Sequence, residues 1–379
     1  MSALPQGSPE DPPAAPAVGR VLLVSPYHQL AWKAAAAGVR VWSMGDSGRL
    51  DTAFVPRLRE ASQELLLADF SDEPALRRLI AQTVRKAGIG TVLHCGDGDS
   101  VLPVVEEAWR LGVSPNPPGA VARLLSAGAA ARPAVAGGDR DAAVPRVSVQ
   151  TLTVASRHHV VGVTLHRTGG APGHATTGYL HPAPLPAAVL RAAEKTAVEL
   201  LTASGYRCGP AVTELALPPA GPRVLSCGTH LGPSRVPLLV EVAREFDLET
   251  ALFEALAGRA PEVPPVRRYA ELGFFLLPEG ELRTYAGLDT IAVTPWVRGA
   301  RFPHAVGELV PPPGDPAARR GYVVVEGDSP ERVQARIRQA RADLITTIRP
   351  VPATDRTRPG RSRVPGPLAG PDQLQEPEA

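Results

Sequence analysis

The sequence predicts an α/β protein built in three parts, and three observations predict it. Residues 18–125 alternate short buried strands with amphipathic helices, the pattern of a parallel sheet with crossover helices. Residues 147–260 open on paired strands and carry a strand–turn–strand–loop–helix unit from Thr213 to Arg235. A Pro-rich joint at Pro261–Pro265 then introduces a β-rich α+β stretch, 265–349.

The elements follow in order. Residues 1–17 and 352–379 are rich in Pro, Ala and polar residues and are expected to be disordered. A buried strand spans Arg20–Ser25, a helix His28–Ala37 stops at Gly38, and strands follow at Val39–Met44 and Leu65–Ala68. Ser71 and Asp72 precede a helix that puts Leu76, Leu79, Ile80 and Val84 on one face and stops at Gly88. Strand Thr91–Cys95 leads through Gly96, Asp97, Gly98 and Asp99 into a helix from Val101 to Leu111. Residues 126–146 have no sustained period and read as a linker or the scar of a lost element. Strands at Val147–Val154 and His159–His166 meet at Ser156 and Arg157, and Val189–Ser204 is a helix ended by Gly205.

The next unit is the most informative. Val212–Leu215 is a strand with one carboxylate, Glu214. Pro218–Pro222 turns the chain, and Val224 and Leu225 start a second strand. Ser226–Arg235 (SCGTHLGPSR) is a small-residue loop, and a helix begins at Val236. Such paired strands hold divalent metal beside nucleotide phosphates when both supply carboxylates. Here the second strand offers Ser226. Asp247 caps a helix through Leu256. The last part has strands at Leu272–Leu277, Leu282–Tyr285, Thr290–Val297 and Gly321–Glu326. Its final helix is capped by Ser329, with Pro330 at its first position and Val333, Ile337, Ala340 and Leu344 as the buried stripe.

Composition narrows the function classes. A net charge of +2 provides no basic field for nucleic acid. Cys95, Cys208 and Cys227 are odd in number and far apart, which argues against a disulfide framework and for a reducing cytoplasm. No apolar run approaches the roughly 20 residues of a membrane span, and no signal-peptide layout is present. Only Lys33, Lys86 and Lys195 are lysines, so any lysine-dependent chemistry has three candidates.

The chain resembles ATP-grasp carboxylate–amine ligases, in particular L-amino-acid ligases of specialised metabolism. SRHHVVGVT at 156, GYLHPAPLP at 178, YRCGPAVTEL at 206, LGPSR at 231, FDLETALFEALAG at 246 and GYVVVEGDSPE at 321 carry the resemblance by their order and spacing. It implies an ATP-grasp-like fold with a Rossmann-like N-terminal domain (18–125), a truncated central core (147–260) and a β-rich C-terminal module (265–349). Residues 126–146 would then replace a lost subdomain. It also implies Mg-ATP as cofactor, an acyl-phosphate intermediate and attack by an amine. Carried over by position, Glu214 is the first metal carboxylate, Ser226 stands at the second, Gly228 at the amide ligand, and His230 at a loop arginine. Pro233 replaces a loop glycine and Ser234 an aspartate, while Arg235 is in register. The phosphate-covering lysines would come from the interval at 126–146, which has none.

Losing one preorganised electrostatic group costs on the order of 10²–10³ in rate. The expectation is therefore a pseudoenzyme that binds an amino-acid-like small molecule or a complete ATP-grasp paralogue, as in a dimer, without nucleic acid or membrane. The alternative is an active amino-acid ligase with a non-standard site, with catalytic residues His230 and Arg235 and metal residue Glu214. His158, His159, His166, His174 and His181 lack zinc-site spacing and read as decoration of a hairpin. Cys227 reads as a small buried thiol, and Gly169, Gly170 and Gly173 as loop glycines with no helix start after them.

Overall fold

Four parallel strands form the first sheet of the computed structural model, which describes residues 19–50, 54–128, 144–169, 175–232, 235–312 and 315–350. The expectations for 1–17, for most of 126–146 and for 352–379 lie outside these residues, as do His174, Gly170, Gly173, Pro233 and Ser234. In chain order the first part runs β1 (Arg20–Val24), α1 (His28–Ala36), β2 (Arg40–Asp46), α2 (Val55–Glu60), β3 (Glu64–Ala68), α3 (Glu73–Ala87), β4 (Thr91–His94), α4 (Val101–Arg110) and α5 (Pro118–Ser126). The sheet order is β3-β2-β1-β4. The Asp72 carboxylate accepts the Ala75 N–H to start α3, and Gly88 closes it at φ 61°, a left-handed conformation that suits a residue without Cβ.

The remainder runs β5 (Arg146–Val154), β6 (Arg157–Gly169), β7 (Ala175–His181), α6 (Ala187–Ser204), β8 (Gly209–Ala216), β9 (Arg223–Gly228), α7 (Val236–Arg244) and α8 (Leu248–Leu256). It continues with β10 (Tyr269–Phe274), β11 (Gly280–Ala286), α9 (Leu288–Ala292), β12 (Val297–Arg301) and β13 (Leu309–Val310). A 3-10 turn (Pro316–Arg320), β14 (Tyr322–Gly327), α10 (Pro330–Asp343) and β15 (Ile345–Arg349) complete it. Eight antiparallel strands form one sheet in the order β12-β14-β10-β7-β6-β5-β8-β9, and β13-β11-β15 form a small third sheet. Strands on either side of the Pro-rich joint thus share a hydrogen-bonded ladder, with β10 pairing β7. Among the described residues, no helix is long and apolar enough to cross a membrane.

Strand alternation explains how the large sheet is covered. Val147, Val149, Val163 and Leu215 meet Ala193 and Ala197 of α6 on one face. Ser148, Gln150, Thr164 and Glu214 take the intervening positions. The expected strand at Thr290–Val297 is not formed there. Gly287 turns the chain at φ 93°, α9 follows, and β12 starts only at Val297. The β-branched run favours a strand, but Ile291 is buried while Val293 is 80% exposed, and a short helix satisfies that pattern better. The final helix forms where its cap places it, the Ser329 hydroxyl accepting the Arg332 N–H.

One polar cluster ties the first part to the rest. Lys33 of α1 is buried. Its ammonium lies 2.9 Å from Glu241 of α7, 2.9 Å from Asp247 at the start of α8, and 2.8 Å from Glu249 within α8. Burial alone would lower its pKa, but Glu249 and the hydrogen bonds to all three carboxylates outweigh that and hold it above the ordinary lysine value. Burial also works against ionised Asp247, yet bonds from Thr250 and Lys33 keep its carboxyl below the usual range. The apolar core continues alongside, joining Leu30, Ala31 and Ala34 of α1 to Leu252 and Phe253 of α8.

A raised lysine pKa contributes stability that is full below the unfolded value and lost as pH rises through the folded one. A depressed Asp contributes above its unfolded value and is lost as pH falls through the folded one. The cluster is therefore at full strength around neutrality. Lys33→Met should cost about 3 kcal/mol in urea denaturation at pH 7, the lower end for a broken buried pair because Glu241 and Asp247 are partly solvated. Adding Glu249→Gln should recover part of the loss.

Candidate functional site

The β8–β9 hairpin brings its two key positions face to face. Glu214 pairs with Ser226 across the strands, and the Ser226 hydroxyl donates to Glu214 Oε2 at 3.1 Å. Ser148 of β5 is Glu214's partner on the other side, and its hydroxyl lies 3.2 Å from His166 Nε2. His166 packs edge-on against Tyr179, and Tyr179 in turn against Phe274. Burial lowers the His166 pKa, with Glu214 opposing and Arg146 assisting. Burial pushes Tyr179 up to about 12; Arg319 pulls it down and Glu214 pushes it further up.

The loop after β9 places His230 over Gly228. A Cβ added at Gly228 would sit well inside van der Waals contact of His230 Nε2. The imidazole thus occupies the room that a side chain at 228 would need. Gly232 N–H donates to His230 Nδ1 at 3.1 Å, which fixes the proton of the neutral ring on Nε2. Burial keeps the ring neutral, against the pull of Asp97 and Glu214. His230 is therefore an uncharged N–H donor. The charge of Asp97 acts on it from the Gly-Asp-Gly-Asp loop of the first part. His94, at the end of β4, is pushed down to about 4, chiefly by burial. Cys227 is buried, 3.5 Å from the Thr213 hydroxyl, and burial pushes its thiol up to about 11, far from a reactive thiolate.

Arg235 stands at the N-terminal end of α7. It lines a cavity of about 280 Å³ where the loop after β1 meets α7, α8 and the last part of the chain. Its guanidinium donates to Gln29 Oε1 at 2.6 Å and lies 5.7 Å from the Tyr322 ring centroid. Arg301, Arg319 and Arg320 also line this cavity, with Tyr27, His28 and Phe54. Sequence reading did not single these out. The signal was there in principle: Tyr27 and His28 closely follow the carboxyl end of a parallel strand, a habitual place for ligands.

The other candidates are dispersed. His158 Nδ1 lies 2.9 Å from Thr153, while His181 lies between Thr164 and Arg244, with Arg244 donating to its Nε2 at 3.3 Å. Lys86 lies near Glu64 and Lys195 near Glu199, both exposed, and Lys33 is engaged as described. Among the described residues, the metal-sized group of three acidic, His or Cys side chains is Glu241, Asp247 and Glu249, and the Lys33 ammonium already fills it.

Comparisons place this geometry. Structural similarity is strong to an L-amino acid ligase from Bacillus licheniformis, with TM-score 0.73, 17% identity, and coverage of 88% of this chain and 99% of that one. A family model described as L-amino acid ligase C-terminal domain 2 matches residues 273–349. The chain has the ATP-grasp fold. Phosphoribosylglycinamide synthetase from Anaerococcus prevotii is also similar, with TM-score 0.70, 9% identity, and coverage of 87% and 100%. So is the biotin carboxylase domain of Hydrogenobacter thermophilus 2-oxoglutarate carboxylase, a complex with MgADP, ADP and bicarbonate, at TM-score 0.62, 11% identity, and coverage of 86% and 90%. A search of curated proteins by sequence gives no match.

Magnesium demands near-octahedral oxygen ligation, usually with carboxylates bridging to phosphate. At the β8–β9 hairpin the donors are one carboxylate and a hydroxyl bonded to it, with the His230 imidazole over Gly228. These residues do not fit the paired metals. Gly228→Ala should displace the His230 ring and break its bond to Gly232, costing about 1 kcal/mol in thermal or urea unfolding. In a His230→Ala background the same change should cost close to nothing.

Proposed function

We propose that this chain is a silenced relative of the ATP-grasp carboxylate–amine ligases, a cytoplasmic protein that binds an amino-acid-like small molecule without ligating it. The observation that carries this reading is the pairing of Glu214 with the Ser226 hydroxyl in place of a second carboxylate. Two further facts support it. Each of the three lysines sits beside carboxylates other than Glu214, and the chain between α5 and β5 (127–145) contains no lysine. Triphosphate charge would then meet neither the metals nor the ammonium groups that offset it, and loss of each such group is worth on the order of 10²–10³ in rate. The cavity at Arg235 is by contrast rich in guanidinium groups. Silencing of the phosphate end with a well-furnished substrate end favours a binding role, alone or beside a complete paralogue.

The test is phosphate release from Mg-ATP with a panel of amino acids. The expected rate equals that of a protein-free blank. Release that Glu214→Ala abolishes would overturn the reading and establish an active ligase working through Glu214, His230 and Arg235.

A further inference from the structure

The small third sheet ends on an unguarded strand. β15 pairs with β11 along one edge, and among the described residues nothing pairs with its other edge. Open edges are usually protected by bulges, by charges or by being very short. Both ends of the large sheet show such protection. β9 and β12 each carry a register shift, with Arg223 on β9 and Arg298 and Arg301 on β12. β13, at the far end of the third sheet, has only two residues. β15 is five residues long, ITTIR, and the residue that interrupts its ladder, Arg283, belongs to β11. Its one charge, Arg349, stands at its end and pairs with Glu281 of β11.

Alternation divides the side chains of this segment between two faces. Leu344 and Ile348 join the core beneath the sheet, with Val310, Val333 and Ile337. Ile345, Thr347 and Arg349 are on the solvent face, and Ile345 is 66% exposed. Just before the strand, Asp343 ends α10. A carboxylate in the last turn of a helix opposes the macrodipole, which favours a cation there. Arg341 is in the same turn but donates to the Phe274 and Thr177 carbonyls. Among the described residues Asp343 makes no ion pair.

We propose that β15 pairs antiparallel with β15 of a second copy of this chain, about a two-fold axis at Thr346. Two three-stranded sheets then become one sheet of six. In that register Ile345 lies opposite Thr347 of the other copy on the solvent face, and Leu344 opposite Ile348 on the core face. Asp343 lies opposite Arg349, twice by symmetry. Arg349 keeps Glu281 and gains Asp343, and the end of α10 gains the cation that it lacks. Slipping the pairing by one residue would set solvent-face side chains against core-face ones. Moving the axis to Thr347 would put Ile345 opposite Arg349 and leave Asp343 unmatched. Charge and alternation thus select one register. Such a dimer is compatible with either an active or a silent site. A five-residue ladder buries little area, so the expected dissociation constant is on the order of 10 µM.

Sedimentation equilibrium of the full chain from about 5 to about 500 µM tests this. The mass should rise from that of one chain towards that of two. Asp343→Arg and Arg349→Asp should each weaken the dimer at least about tenfold, because each sets like charges face to face. Mixed in equal amounts, the two variants should dimerise again, since each then meets an opposite charge at both ends. That recovery guards against misfolding, which mixing does not repair. A single-chain mass up to about 500 µM overturns the proposal. So does a dimer that survives both substitutions, or a pair of variants that stay single when mixed. A chain ending at Pro350 that dimerises where the full chain does not shows the edge held by residues 351–379, and overturns it too.

Discussion

The structure depends on a single buried ammonium. Lys33 is the point at which the parallel-sheet part meets the antiparallel core, and three carboxylates from α7 and α8 converge on it. Such an arrangement is costly to desolvate and tolerable only because every charge finds a partner at hydrogen-bond distance. It fixes the orientation of α1 against α8. That orientation in turn sets the N-terminus of α1 near that of α7, which is where the junction cavity forms. One lysine of three thus serves architecture.

The β8–β9 hairpin around Glu214 is filled and hydrogen-bonded. Ser226 lacks a carboxylate but returns a hydrogen bond to Glu214. Gly228 lacks a side chain, and the His230 ring fills the room. The ring is neutral and tied down by Gly232. Each of these residues satisfies the groups around it, as buried polar atoms require.

Much of this was legible in the sequence, for identifiable reasons. Helix boundaries with strong caps, Asp72, Asp247 and Ser329, fall where local chemistry puts them. The Glu214–Ser226 pairing depends on a bulge that the Pro/Gly turn does not announce: Leu215 pairs with Val224, and the register then shifts so that Ser226, not Leu225, lies opposite Glu214. What was missed lacked a local signal. β7 and β15 are strands because neighbours pair with them, β15 showing only edge-strand alternation. Arg301 and Arg319 are far from Arg235 in sequence, and nothing in their own surroundings says that they share a cavity with it. Thr290–Val297 misled through β-propensity, which yields to the burial of Ile291. His230 feels the charges of Asp97 and Glu214, while Arg235 lines the cavity with Phe274, whose ring packs edge-on against Tyr179.

The ladder from β9 to β12 has a mechanical consequence. It runs unbroken through strands from both sides of the Pro-rich joint, and the core from Leu30 to Phe253 is equally unbroken. Both ties join one part of the chain to another. Whatever enters the junction meets walls already in position, and the adjustable pieces are long guanidinium arms pivoting on a fixed frame. Selectivity in such a vise comes from fit to a preset shape.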